Sequence, residues 1–97
     1  MRDRKAEVLA HALKMAERYG YENIRRDELA TISRVSAGRV SQLWTAPALR
    51  TAVMREAVAR QNLRVIAQGL ALRHSVAVNA PYSLRRAAAD SIVGRGG

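Results

Sequence analysis

Apolar residues recur at steps of three and four along most of this chain, and that spacing gathers them on one side of an α-helix. In the first stretch Val8, Leu9, Ala12, Leu13, Met15, Ala16 and Tyr19 follow it, while Arg4, Lys5, Glu7, Lys14, Glu17 and Arg18 take the outer side. The pattern predicts an amphipathic helix from near Asp3 to Tyr19, with Met15 and Tyr19 in the core. Gly20 is placed to end it, since glycine accepts a positive φ without strain. Tyr21 and Ile24 should then pack inward. No stretch shows the two-residue alternation of a half-buried strand, so the expected class is all-α.

The stretch from Arg26 to Trp44, RDELATISRVSAGRVSQLW, reads as two short helices around a tight turn. Asp27 and Glu28 open the first, where negative charge favours the positive end of the helix dipole. Leu29, Ala30 and Ile32 give its apolar side. Arg34, Val35 and Ser36 form the turn. The Ser36 hydroxyl can cap the next helix, from about Ala37 to Trp44. There Val40, Leu43 and Trp44 share one face. The opposite face carries Ala37, Gly38, Arg39, Ser41 and Gln42 and holds no negative charge. This is the pattern of a helix-turn-helix, whose second helix enters the major groove of DNA. Those five residues are the expected base contacts. Arg25, Arg26 and Ser36 beside them, and Arg4 and Lys5 at the chain start with Arg2, are the expected phosphate contacts.

Thr45 and Pro47 mark the next helix start. Leu49, Ala52, Val53, Ala57, Leu63, Ile66, Ala67 and Leu70 predict one long helix from Pro47 to between Gln68 and Leu72, ended or bent at Gly69. Arg50, Arg55, Arg60 and Arg64 line another side as a solvated basic row. The apolar stripe is broad for one small domain to cover. Leu49, Val53, Ala57, Leu63, Ile66 and Leu70 are therefore the expected dimer seam. HSVAVNAPY, His74 to Tyr82, reads as a connector with a short extended Val-Ala-Val run. Ser83 caps a last short helix, Leu84 to Val93, and residues 94–97 form a flexible tail. The expected organisation is a helix-turn-helix domain over 1–46 and a helical dimerisation region over 47–93.

Charge sharpens the picture. The 97 residues carry 17 basic and 8 acidic side chains, a net charge of +9, and 15 of the basic residues are arginine. Arginine presents a planar fork that suits phosphate and guanine. The imbalance points to double-stranded DNA as the partner. An anionic membrane is a weaker alternative. No run of 18 apolar residues exists, so no transmembrane helix is expected. The charged N-terminus lacks the apolar segment of a secretory signal, so a cytoplasmic protein is expected. There is no cysteine. The two histidines, His11 and His74, have no metal-ligand spacing. No phosphate-binding glycine loop or dinucleotide motif occurs. Neither metal, cofactor nor enzymatic activity is expected.

The first 55 residues or so resemble the DNA-binding domain of the TetR family of repressors. The resemblance rests on V8-L9-A10-H11-A12-L13, A16-E17-R18-Y19-G20-Y21-E22, L29-A30 and V35-S36-A37-G38-R39-V40, with the register from Gly20 to Gly38 unbroken. It departs from the family at four points. Arg34 replaces the turn glycine. Ser41 and Leu43 stand where the recognition helix has Tyr and His. Trp44 keeps the aromatic end. The phosphate-gripping lysine of the fourth helix is missing, with Pro47 at about its place. The family adds a large ligand-binding and dimerisation domain, whereas about 30 residues follow Gln68 here. That length favours a dimer seam over a ligand pocket, so a small-molecule effector is not expected. The resemblance implies a dimeric, sequence-specific repressor of plasmid or phage type. The alternative is a DNA-binding assembly or architectural protein of the terminase-small-subunit or partition type. A third and poorer alternative is an antagonist that binds a protein partner through the basic helix from Pro47 to Leu72.

Overall fold

The computed structural model describes residues 4–96, with side chains as far as residue 91. Its elements are α1 (Arg4–Tyr19), a 3-10 turn (Tyr21–Asn23), α2 (Arg26–Ser33), α3 (Ala37–Leu43), α4 (Ala46–Ala59), α5 (Leu63–Ala71), α6 (Ser75–Val78) and α7 (Tyr82–Gly96). Arg2 and Gly97 lie outside the described residues. All regular structure among the described residues is helical, as the periodicity predicts.

α1 is the hub. It packs on α2, α4 and α5, while α5 packs on α4, α6 and α7. Val8, Ala12, Leu13, Met15 and Ala16 are buried along α1. They join Tyr21, Leu29, Val40, Val53, Met54, Ile66 and Ala88 in one continuous core. Tyr19 departs from expectation. It is 53% exposed because its ring turns outward under the Arg18 guanidinium, 5.9 Å from the ring centre. Ile32 is likewise 53% exposed, since Leu29, Ala30 and Ser33 already fill the inward side of α2. Gly20 has φ 102°, and its N–H donates to the Ala16 carbonyl at 2.9 Å.

The long helix expected from Pro47 to Gln68 or beyond is two helices. Gln61 takes a left-handed φ of 56°. Its N–H donates to Val58 O, and Asn62 N–H donates to Ala57 O at 2.8 Å. The Asn62 side chain then caps α5 by accepting from Val65 N–H at 3.1 Å. The same end recurs at Arg34, which closes α2, and at Arg73, which closes α5. Each time the next helix starts within three residues, behind a side-chain cap from Ser36, Asn62 or His74.

This break redirects the apolar stripe. Leu49, Val53, Ala57 and Ile66 are at most 5% exposed within a single chain. Leu63 and Leu70 are half-buried and pack on the same core. Four of the six residues expected at the dimer seam therefore fill the protomer's own interior and Leu63 and Leu70 edge it, because folding α5 back on α4 supplies the cover that one straight helix lacks. Gly69 does not end α5. A Cβ there would sit 2.5 Å from Met54 Cε and 2.8 Å from Ala77 Cβ, so glycine lets α4 and α6 close over α5. The Val-Ala-Val run is helical, not extended: His74 caps α6 by accepting from Val76 N–H at 3.2 Å. The last helix begins at Tyr82, ahead of Ser83, behind Pro81. Its backbone runs on through Gly96, where a tail from residue 94 was expected.

Candidate nucleic-acid interface

The α2–α3 pair is assembled from local instructions. Arg34 closes α2 with φ 58° and ψ 41°, a conformation that costs a side-chain-bearing residue where glycine would be free. Val35 N–H reaches back to Ala30 O at 3.0 Å. Ser36 Oγ then accepts from Arg39 N–H at 3.0 Å and starts α3. Val40 is fully buried and Leu43 half-buried, so α3 is held by one side. Trp44 closes the helix with its indole buried.

Ala37, Gly38, Arg39, Ser41 and Gln42 are all exposed, as the pattern predicts. They form the outward face of α3, with no acidic residue in that helix. A Cβ on Gly38 would meet nothing nearer than Ser36 Oγ at 3.9 Å. Packing therefore does not require glycine at this position. Its effect is to leave the start of α3 flush, so that another molecule's backbone can approach closely.

The expected phosphate contacts divide. Arg25 and Arg26 are exposed at the start of α2. Arg25 Nη1 lies 4.0 Å from Glu28 Oε1, an exposed pair of little strength. Arg26 Nη1 instead donates to Ser41 Oγ at 2.9 Å, across to α3. Arg4 and Lys5 lie elsewhere. Arg4 Nη1 donates to the carbonyl of Ser33, the last residue of α2, at 3.5 Å. Lys5 Nζ stands 5.3 Å over the Trp44 ring. The four basic residues thus belong to different ends of the α2–α3 unit, not to one row. The Ser36 oxygen accepts the cap bond, and its exposed O–H keeps a donor for a phosphate.

Two contributors are not evident from local pattern. Arg50, assigned above to a solvated row, lines a hollow of about 590 Å³ together with Arg26, Ala37, Gly38 and Ser41. Glu22 and Asp27 line the same hollow. The second is the support beneath. The His11 imidazole hydrogen-bonds the Ser33 hydroxyl at 3.1 Å, which ties α1 to the end of α2. Tyr21 N–H donates to Gln68 Oε1 at 2.6 Å, and the Tyr21 ring meets His74 edge-on at 5.6 Å. Burial raises the Tyr21 hydroxyl above its ordinary pKa, partly offset by the Arg50 charge. Burial, then the same charge, lowers the His74 imidazole. Only the separation along the chain hid these contacts, since nothing in the sequence pairs residue 21 with 68 or 74.

Among the described residues no three His, Cys, Asp or Glu side chains converge on a possible metal position. No helix among them is long and apolar enough to cross a membrane. Comparison with protein-family models, with curated proteins and with solved structures finds no match to this chain.

Proposed function

We propose that this protein is a sequence-specific regulator of transcription that binds double-stranded DNA through a TetR-like helix-turn-helix, with α3 as the recognition helix. One observation carries the reading: the whole outward face of α3 is small, polar and basic, on a helix held from behind by Val40 and Trp44. Such a face fits the major groove, where Arg39 can pair with guanine O6 and N7 and Gln42 with adenine. Ala37 and Gly38 admit the backbone close to the duplex. Arg25, Arg26 and Arg50 supply phosphate contacts beside it, in place of the family's lysine. The net charge of +9 supports a polyanionic partner.

The regulator acts in the cytoplasm as a two-fold dimer on an inverted repeat, with half-sites one helical turn or a multiple of it apart. Binding-site selection from random DNA tests the reading. A repressor enriches one short inverted repeat and prefers it over random DNA by about 10³ or more. Binding without enrichment transfers the protein to the architectural or assembly class. Absence of DNA binding at low salt overturns both.

A further inference from the structure

Two large apolar side chains stand outside the core on neighbouring helices. Tyr19 ends α1, Ile32 lies near the end of α2, and each is more than half exposed. Both line one hollow of about 200 Å³ at the α1–α2 seam, over the buried Met15, with His11, Lys14 and Arg18 completing it. Isolated surface apolar side chains are ordinary, whereas a contiguous exposed patch rimmed by polar groups marks contact with another molecule. The hollow lies below the range of about 300–1,000 Å³ for small-ligand sites. It suits one bulky side chain, as an anchor residue seats in a partner's pocket.

Charge decides what flanks that anchor. Lys14 and Arg18 are four residues apart, so they share a side of α1. Both are exposed and both line the hollow, which has no acidic residue in its lining. Among the described residues no hydrogen bond or ion pair occupies Lys14. Arg18 stands against the Tyr19 ring at 5.9 Å, a contact that spends none of its N–H donors. The nearby acids are placed elsewhere. Glu17 Oε2 accepts from the Asn62 amide. Glu28 is 4.0 Å from Arg25 Nη1 and lines, with Glu22, a separate hollow that shares only Tyr19 with this one. A DNA backbone would use the two cations but leave Tyr19 and Ile32 in water. We propose that the α1–α2 hollow docks a second protein through an acidic segment in which carboxylates flank one bulky apolar residue. The apolar side chain seats against Tyr19, Ile32 and Met15, and the carboxylates pair with Lys14 and Arg18. The hollow shares no residue with the one at Arg26 and Arg50 or with the outward face of α3, so docking there does not depend on DNA reading.

Full-length protein is titrated with three fluorescein-labelled dodecapeptides. The first is glutamate and serine with a central phenylalanine. The second has serine in place of that phenylalanine. The third keeps the phenylalanine and has lysine for every glutamate. Anisotropy is expected to show saturable binding of the first and at least tenfold weaker binding of the other two. Ile32→Ser and, separately, Lys14→Glu with Arg18→Glu each lower affinity for the first peptide tenfold or more. Arg55→Glu with Arg64→Glu makes the same change of charge at exposed positions outside the hollow, and leaves that affinity within about threefold. Circular dichroism verifies that each variant folds, and should one of the two hollow variants unfold, the other decides. Equal binding of the serine peptide or of the lysine peptide overturns the proposal, as does an equal loss in the Arg55 and Arg64 variant. Loss of DNA binding with unchanged peptide affinity in the Lys14 and Arg18 variant also overturns it, and gives the patch to the DNA backbone. A lower sedimentation mass in Ile32→Ser, with no peptide bound by wild type, overturns it in favour of a second copy of the chain.

Discussion

Arg26 and Ser41 are joined across the helix-turn-helix: the Arg26 guanidinium donates to the Ser41 hydroxyl at 2.9 Å. The bond links the first residue of α2 to the exposed face of α3, so the residue proposed to hold phosphate also steadies the helix proposed to read bases. Both side chains are exposed, and an exposed contact of this kind stabilises the fold by at most about 1 kcal/mol. On the proposed function, its consequence should therefore be read in binding.

Binding should be steeply salt-dependent, because arginine–phosphate contacts release condensed counterions. Arg25→Ala with Arg26→Ala should weaken binding to all sequences alike and flatten the plot of log affinity against log salt. Ser41→Ala, which frees Arg26 without removing its charge, should leave that slope in place. Fluorescence anisotropy at several salt concentrations measures both. A double variant with the wild-type slope removes the pair from the phosphate contacts.

Arg39 stands three residues beyond the Ser36 cap on the outward face. Arg39→Ala should cost about 1–3 kcal/mol on the selected site and relax preference at one base pair per half-site. Site selection with wild type and variant in parallel checks this. Uniformly weaker binding with unaltered preference would make Arg39 a phosphate contact.

Arg34 holds a left-handed backbone that glycine adopts without penalty. Arg34→Gly should therefore stabilise the fold by about 0.5–1 kcal/mol, the relief of strain exceeding the added chain entropy of glycine. Urea denaturation is the measurement, and a lower midpoint would show that the Arg34 side chain contributes more than its backbone costs.

His74 predicts a pH dependence. Burial and the Arg50 charge hold its folded pKa below 6.5, so the unfolded chain takes up this proton first. The contribution to stability is complete above about pH 6.5, the ordinary imidazole value, and is lost as pH falls toward the folded pKa. Protonation also removes the acceptor that caps α6. His74→Asn keeps a capping acceptor that does not titrate, and should flatten the melting temperature between pH 5 and 7. An identical pH profile in the variant would exclude His74 as the source.

The proposed dimer should use a surface other than the buried residues Leu49, Val53, Ala57 and Ile66. Among the described residues of the C-terminal half, Leu72, Val78 and Tyr82 leave large apolar side chains outside, at 45%, 42% and 65% exposure. Sedimentation should give about twice the 10.7 kDa chain mass, falling to the single mass in Leu72→Glu with Val78→Glu. A monomer in wild type at micromolar concentration would remove the two-fold model.

Much of the fold is determined by sequence over short range. The period of apolar residues decides the helices. Gly20, Ser36 and Thr45 decide three of the boundaries, because a positive φ or a capping oxygen acts within three residues of itself. The outward face of α3 is fixed in the same way, by Val40 turning in. Tertiary structure decided what depends on distant partners. The break at Gln61 carries no glycine or proline to announce it. A polar residue accepts the left-handed turn there because folding α5 onto α4 covers Val53, Ala57 and Ile66, and that burial outweighs the local strain. The same return of the chain took Leu49, Val53, Ala57 and Ile66 of the expected dimer seam into the core. It also set Tyr21 against Gln68 and His74.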